Sequence, residues 1–208
     1  MKIEKLSAHM SNYTPKGNRK IDYIAVHYTA NNGDTAWGNC NYFSKANRNA
    51  SAHYFVDEQG VWQSVEDMDT AWHCGTNGTY RHQYCRNSNS IGIEMCSKIN
   101  SRGTFYIEPK TIANTQKLVK KLMKKYNIPI ENVLRHYDIT GKICPKPFVE
   151  NKQLWVDFKE RLVKDMTLEE ARKIIQDNCG FDDNTMKYLD FYKYSESLIL
   201  RLAEAIEE

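Results

Sequence analysis

The sequence lacks the long hydrophobic segments that would place the chain in or across a membrane. No run of about 18 consecutive apolar residues occurs, and the first twenty residues contain no apolar core of the kind that a secretory signal needs. We therefore expect a soluble protein that has no membrane partner and is made without its own export signal.

Paired cysteine motifs are also missing. The six cysteines include no CxxC pair, which argues against a zinc knuckle, and they are too few for a small disulfide scaffold. If one cysteine is a metal thiolate, the remaining five cannot pair completely within one chain, which favours synthesis in a reducing cytoplasm. The disulfide status of five cysteines stays open: Cys40, Cys74, Cys85, Cys96 and Cys179. Individual bridges among Cys74, Cys85 and Cys96 are compatible with the sequence.

Charge of the two signs is unevenly distributed. Residues 166–208 hold 5 Lys/Arg and 10 Asp/Glu, a net charge of −5, which leaves 24 and 16, a net charge of +8, for residues 1–165. A basic part favours an anionic polymer such as a cell wall or a nucleic acid. Ordinary surface lysines explain the same count equally well, so we do not expect a nucleic-acid partner on charge alone.

Strand and helix patterns alternate through residue 165. Apolar periodicity, β-branched residues and turn signals predict strands at 21–30, 51–57, 61–66, 90–96 and 133–138, and helices at about 35–47, 110–126 and 148–164. Asp34 is the expected N-cap of the first helix, and Pro129 is expected to stop the second. The predicted fold class is α/β, with a mixed central β-sheet flanked by helices.

The pattern changes after residue 165. Thr167 and Glu170 form a capping-box signature, and helical runs then break at residues 178–180 and near Tyr192. We predict a catalytic domain over residues 1–165 and a small all-α domain over 166–208. Because roughly 40 residues are at the lower limit for independent folding, we expect the small domain to dock onto the first domain or onto a second copy.

Metal-binding residue types cluster in residues 134–147, LRHYDITGKICPKP. His136 and Cys144 are eight residues apart across a loop that contains a glycine, and His27 ends a predicted buried strand. Imidazole and thiolate are preferred zinc ligands, and three protein ligands leave one position open for water, as in catalytic zinc sites. A histidine at a strand end is also commonly a core residue, so His27 alone decides nothing.

Hydrolysis at such a site needs a carboxylate for proton transfer and a cation for the developing oxyanion. Glu94, in the strand SIGIEM, and Lys142 are residues of these types. Their structural alternatives are a groove wall for Glu94 and a solvated loop lysine for Lys142. The polar stretch from Asp67 to Asn89 is long for a loop in a compact domain, which favours a substrate-facing role.

Together, these residues resemble the zinc-dependent N-acetylmuramoyl-L-alanine amidases, a family that includes phage endolysins and shares a fold with peptidoglycan recognition proteins. The resemblance covers about residues 20–160 and is carried by several motifs in order: IAVHYTA, SAHYFVDEQG, AWHCG, NSIGIEM and RHYDITGKICPKP. It implies that His27, His136 and Cys144 bind Zn²⁺, that Glu94 is the catalytic carboxylate, and that Lys142 is the oxyanion cation.

The resemblance also implies that Trp72 and His73 line the substrate groove. One departure concerns the hairpin, where some family members have a catalytic tyrosine before the histidine, whereas Ala52 precedes His53 here. The sequence is similar in this respect to the Gram-positive phage branch, which uses the glutamate of the SIGIE segment. Proton transfer is therefore assigned to Glu94, and His53 is left a packing or orienting role.

The implied function is hydrolysis of the lactyl-amide bond between MurNAc and L-alanine in bacterial peptidoglycan, by a phage or prophage endolysin. Such an enzyme is made in the host bacterial cytoplasm and then released to the cell wall. A bacterial autolysin is the close variant, and a non-catalytic peptidoglycan-binding module is the rival, although binding-only relatives generally lack the cysteine ligand. For residues 166–208 we expect cell-wall binding or self-association into a homo-oligomer.

Overall fold

The structure, a computed structural model, describes residues 1–76, 78–164, 167–192 and 195–207. Two compact units are present, one over Ile3–Leu162 and the other comprising Met1–Lys2 and Val163–Glu208. The predicted boundary at residues 165 and 166 lies outside the described residues, as does Asn77 in the predicted substrate-facing loop. The functions that we expect of the two parts stay predictions.

The larger unit contains ten strands. In chain order they are β1 (Ile3–Lys5), β2 (Tyr13–Thr14), β3 (Tyr23–Tyr28), β4 (Tyr54–Val56), β5 (Val61–Gln63), β6 (Thr70–Ala71), β7 (Ser90–Met95), β8 (Lys98–Ile99), β9 (Phe105–Tyr106) and β10 (Val133–Arg135). Six of them form one mixed sheet in the order β1-β5-β4-β7-β3-β10, in which only the β4–β5 pair is antiparallel. The predicted hairpin and the mixed central sheet are thereby confirmed.

Among the described residues, five α-helices belong to the part of the chain that carries this sheet, and three follow it. The first five are α1 (Ala36–Phe43), α2 (Pro109–Tyr126), α3 (His136–Thr140), α4 (Lys146–Glu150) and α5 (Lys152–Val163). The last three are α6 (Leu168–Cys179), α7 (Asp183–Asp190) and α8 (Ser195–Glu207). Among the described residues, no helix combines the length and the apolar character that crossing a bilayer requires.

The central strands β3 and β7 bury one hydrophobic face, on which Ile24, Val26, Ile91 and Ile93 are fully buried. His27 and Glu94 lie on the opposite face, because successive side chains of a strand alternate between the two faces. The amphipathic helix α2 adds Leu118 and other buried residues of its apolar stripe. This packing fixes the position of the strand ends, where the candidate site residues lie.

Three predictions of where helices begin, end or break were wrong. The N-cap of α1 is Thr35, whose Oγ1 accepts the Gly38 N–H at 3.0 Å, and not Asp34. Helix α1 also ends at Phe43 and not near residue 47, whereas α2 ends at Tyr126, before Pro129, as predicted. The segment predicted as one helix over 148–164 is two helices, α4 and α5, which are separated at Asn151.

The fourth difference concerns the predicted strand over residues 133–138. Strand β10 ends at Arg135, and helix α3 begins at His136. The Asp138 carboxylate accepts the backbone N–H of Arg135 at 2.9 Å and also binds its guanidinium, with an Nη2–Oδ1 distance of 2.7 Å. These bonds stabilise the first turn of α3, so His136 is a helical residue.

The C-terminal helices agree with the sequence pattern. Thr167 and Glu170 form the predicted capping box, and α6 ends at Gly180, which has a φ of 66°. A small hydrophobic core joins α6, α7 and α8 through buried residues: Ala171, Ile175, Met186, Ile199 and Ala203. The second predicted break, near Tyr192, precedes two residues outside the described ranges.

We expect Leu118→Ala to lower the free energy of unfolding of the larger unit by about 2–5 kcal/mol, because it removes a fully buried side chain of α2 and leaves a cavity. Urea denaturation followed by tryptophan fluorescence measures this change. The exposed Lys121 of the same helix supplies the control, since Lys121→Ala should change the value by less than about 0.5 kcal/mol. Equal effects of the two variants would contradict the packing of α2.

Candidate metal centre and active site

The site is positioned by three parallel strands that end at the same edge of the sheet. Strand β3 carries His27, and its neighbour β7 places Glu94 directly opposite His27 in the register. On the other side of β3, Arg135 of β10 pairs with Val26, so His136 follows at the level of His27. Adjacent strands therefore bring two imidazoles and a carboxylate to one edge.

Three ligand-type atoms converge there. The Nδ1 atoms of His27 and His136 are 3.1 Å apart, and the Cys144 Sγ is 3.8 Å from His27 Nδ1. All three ligand atoms lie within 4.8 Å of one another, and all three residues are buried. Metal–ligand bonds of 2.0–2.3 Å around a tetrahedral ion imply ligand–ligand separations of about 3.3–3.8 Å. The group is thus of the right size to hold a metal ion.

Cys144 reaches the group because the chain turns back after α3. Gly141 ends that helix with a φ of 85°, and a Cβ on this residue would collide with the guanidinium of Arg81. The backbone N–H of Tyr137 then donates to the carbonyl oxygen of Cys144 at 2.9 Å. This bond ties the cysteine to the first turn of the helix that His136 begins.

The remaining nitrogen of each imidazole also has a partner. His136 Nε2–H donates to the carbonyl oxygen of Gly75 at 3.2 Å, and His27 Nε2 is 3.0 Å from His73 Nδ1. Metal-binding histidines typically donate their second ring N–H in this way, which fixes the tautomer and the ring orientation. Both rings are therefore held with Nδ1 toward Cys144.

Burial keeps the imidazoles neutral. It lowers the pKa of His27 well below the ordinary value and that of His136 to about 4. Neutral imidazole is the form that binds metals. Burial also raises the pKa of the Cys144 thiol to about 12, so the thiolate needs the charge of a bound cation for its stabilisation. The donor set of two imidazoles and one thiol fits zinc.

Comparison with known proteins agrees with this geometry. Residues 17–147 match the family model described as N-acetylmuramoyl-L-alanine amidase. The chain belongs to this amidase family. The family match spans His27, Glu94, His136 and Cys144, so the whole candidate centre lies within it.

Individual amidases resemble the chain over its larger unit. The N-acetylmuramoyl-L-alanine amidase BlyA of Bacillus subtilis is 36% identical over 165 residues, which cover 74% of this chain and 44% of BlyA. CwlH of the same organism is 37% identical over 133 residues, which cover 62% of this chain and 49% of CwlH. The chain thus spans about half the length of these curated relatives.

Solved structures of endolysins share the fold. The catalytic domain of XlyA superposes with a TM-score of 0.65 at 29% identity, covering 78% of this chain and 99% of that domain. A mutant endolysin from Bacillus subtilis gives a TM-score of 0.64 at 32% identity, covering 77% and 98%. The mixed sheet flanked by helices is therefore the amidase fold, as the resemblance implied.

Glu94 differs from the other residues of the amidase site because one of its oxygens is unsatisfied. Its Oε2 is sealed from solvent and has no hydrogen-bond partner among the described residues. Burial raises the pKa of the Glu94 carboxyl to about 8, and the positive charge of Lys142 opposes that shift. Lys142 itself is exposed and acts electrostatically on His136 and Cys144 as well.

Trp72 and His73, predicted to line the groove, occupy different surroundings. Trp72 is half-buried, and its indole N–H donates to Thr14 Oγ1 at 2.9 Å. His73 is 7% exposed, and its nitrogens contact protein atoms, His27 among them. Substrate contact by either residue stays a prediction. His53 is fully buried, where its Nδ1 accepts the Gly92 N–H at 2.9 Å.

The sequence reasoning missed two partners of the site. One is the carbonyl oxygen of Gly75, which carries no side-chain signal and becomes visible only in three dimensions. The other is Ser90, whose hydroxyl lies 3.3 Å from His73 Nε2. The sequence places Ser90 at the start of the SIGIEM strand, but it does not show which side chain the Ser90 hydroxyl contacts.

The cysteines outside the site are free, and Cys179 is exposed.

A pH-dependent stability difference follows from Glu94. In the metal-free protein its folded pKa of about 8 exceeds the unfolded value of about 4.3, so the folded state retains a proton that the unfolded state loses. Stability from this group is therefore complete below about pH 4 and is lost as the pH rises toward 8. We expect Glu94→Gln to match the wild type near pH 4 and to melt at a higher temperature near pH 8.5.

Melting curves recorded in chelator at the two pH values measure this effect. Glu131→Gln is the matched control, because Glu131 is exposed and lies outside the site. An equal melting temperature of wild type and Glu94→Gln at both pH values would show that the carboxyl is not destabilised by burial.

Proposed function

We propose that the chain hydrolyses the amide bond between N-acetylmuramic acid and L-alanine in bacterial peptidoglycan. The observation that carries this proposal is the convergence of two imidazoles and a thiol beside an unsatisfied carboxyl group at one sheet edge. Family membership supports the amide bond as the target, since the matched family is described by that activity. The relatives extend well beyond the matched segment, so the substrate of the whole protein is part of this proposal.

Zn²⁺ is the proposed metal, held by His27, His136 and Cys144. When bound, zinc supplies Lewis-acid polarisation of the scissile carbonyl and lowers the pKa of water to near ~7. The buried imidazoles supply neutral nitrogen donors, and their second nitrogens are already engaged, which holds both rings in place.

Glu94 is the proposed general base and acid. Its carboxyl group lies opposite His27 in the sheet register, and its Oε2 has no hydrogen-bond partner among the described residues, which leaves this oxygen available to accept a proton. Glu94 takes the proton of the attacking water and returns it to the departing amino group of L-alanine. Lys142 places a positive charge near the carbonyl oxygen, where negative charge develops in the transition state.

A phage or prophage endolysin is the biological context that we propose. A mutant endolysin from Bacillus subtilis, whose solved structure covers 77% of this chain, supports this context. An autolysin would use the same chemistry. A module that binds peptidoglycan without cutting it is disfavoured, because Cys144 completes the ligand set and Glu94 lies beside it.

For residues 166–208 we propose a role in cell-wall binding, with self-association as the alternative. Two large aromatic side chains support an interaction surface, since Tyr188 is 78% exposed and Phe191 is 86% exposed. They are three residues apart at the end of α7 and share one face. Exposed aromatic residues of this kind are typical of binding surfaces.

The activity is tested by incubating the purified protein with Gram-positive cell walls. We expect new L-alanine amino termini and no new reducing sugar ends. Glu94→Ala should retain zinc and lose turnover roughly 10²–10⁴-fold, because proton transfer is removed while the ligands remain. Cys144→Ser should lose zinc on dialysis, because a hydroxyl replaces the thiolate ligand.

Cys179→Ser is the control for the cysteine exchange, since this thiol is exposed and belongs to the smaller unit. It should keep both zinc and activity. Release of reducing ends alone, or full activity of Glu94→Ala, would overturn the proposed reaction or its assigned base. Metal analysis without stoichiometric zinc, together with inert behaviour on walls, would favour the binding module.

Deletion of residues 167–208 tests the proposed role of the helical unit. We expect the shortened protein to co-sediment less with cell walls and to keep its activity on solubilised peptidoglycan. Sedimentation equilibrium of both proteins reports self-association independently. Unchanged wall binding together with unchanged solution mass would remove both roles.

A further inference from the structure

His73 lies directly behind the candidate metal centre. Its Nδ1 is 3.0 Å from the Nε2 of His27, the ring nitrogen that faces away from Cys144 and His136. The two rings meet edge to face, with centroids 5.1 Å apart. His73 is therefore in contact with a ligand-type residue, on the side of the His27 ring opposite to His136 and Cys144.

The directions of the hydrogen bonds that link His27, His73 and Ser90 follow from which nitrogen of His27 binds the metal. If His27 binds zinc through Nδ1, its proton is on Nε2, and His73 Nδ1 must accept it. A neutral His73 then carries its own proton on Nε2, which is 3.3 Å from the Ser90 hydroxyl. Ser90 in turn donates to the carbonyl oxygen of Arg86 at 2.6 Å. The chain of donors and acceptors ends on backbone without a conflict.

The backbone of β7 leaves room for this ring. A Cβ on Gly92 would lie 2.4–2.7 Å from three ring atoms of His73, a separation that real side chains do not show. The backbone N–H groups of His73 and Cys74 both donate to Asn87 Oδ1, at 3.1 and 2.7 Å. The ring of His73 is thus confined by the strand beneath it and by the loop that carries it.

We propose that His73 is a positioning residue, which holds the His27 ring with Nδ1 toward the metal by accepting its Nε2–H. This inference rests on the metal centre of the proposed function. His73 acts through His27 and not by contacting the substrate. The Ser90 hydroxyl fixes the tautomer of His73.

A second arrangement of the same residues predicts a different result. His27, His73 and Cys74 have ligand atoms within 4.8 Å of one another, and the Cys74 Sγ is 3.1 Å from His73 Nδ1. A second metal ion there would require His27 to bridge two ions. The 3.0 Å separation between the two histidine nitrogens is the ordinary length of a hydrogen bond, and a hydrogen bond leaves His27 a neutral imidazole with one metal-binding nitrogen.

Zinc affinity of a matched pair of variants tests the proposal. Asn and Leu have nearly the same shape, but Asn places an oxygen acceptor close to the position of His73 Nδ1, whereas Leu has no acceptor. We expect His73→Leu to bind zinc roughly 10–100-fold more weakly than the wild type. His73→Asn should recover most of that loss. Competition with a chromophoric chelator measures the affinity, and elemental analysis gives the number of zinc ions per chain.

Ser90→Ala provides a second, milder variant in case His73→Leu does not fold. It removes the acceptor of His73 Nε2–H, and we expect a smaller loss of zinc affinity in a protein that folds but melts at a lower temperature, because the Arg86 carbonyl also loses its donor. Equal zinc affinity of wild type, His73→Leu and Ser90→Ala would overturn the positioning role. So would equal weakening in His73→Asn and His73→Leu.

Two zinc ions per wild-type chain, reduced to one in His73→Leu, would replace the proposal by the bridged arrangement. Failure of the proposed function is distinguished by the wild type alone. A wild type that binds no zinc overturns both ideas. A wild type that binds one zinc with the expected variant pattern, but releases no L-alanine termini, leaves the positioning role standing and removes the amidase reaction.

Discussion

The parallel alignment of β10, β3 and β7 is the constraint on which the rest of the structure depends. Because these strands run in the same direction, their carboxyl ends meet at one edge, where two of the three ligand-type residues and Glu94 are brought together. A shift of one residue between β3 and β7 would turn one of the two facing side chains to the other side of the sheet. The packing of Ile24, Ile91 and their neighbours on the opposite face holds the register, so the core and the chemistry are coupled.

The site is built from groups that are neutral when no cation is bound. Burial disfavours the charged forms of His27, His136, Cys144 and Glu94, and it raises or lowers their pKa accordingly. Without a cation, these four side chains carry no net charge. A divalent cation therefore gains strongly polar ligands without displacing an existing ion pair. Lys142, on an exposed loop, is the one cation near the group that we assign a role.

Much of this arrangement was predictable from the sequence, and the parts that were not depend on tertiary contacts. The strands around His27 and Glu94 follow from apolar runs, and the ligand set follows from the resemblance. The helical state of His136 was missed, because the Asp138 cap is a local polar signal inside a segment rich in β-formers. Whether His73 faces the substrate or packs in the core could not be decided from the sequence, since no periodicity shows that a loop residue folds behind a strand.

Gly141 lies between His136 and Cys144 and ends helix α3, where the chain turns so that these two residues come together. Gly141 has a left-handed backbone conformation at the end of α3, which glycine adopts without the steric cost of other residues, and the chain turns back there. A Cβ at this position would also require the exposed guanidinium of Arg81 to move. Loop grafts or insertions aimed at altering substrate range can therefore vary the solvent-facing residues around Lys142, whereas Gly141 itself has to be kept.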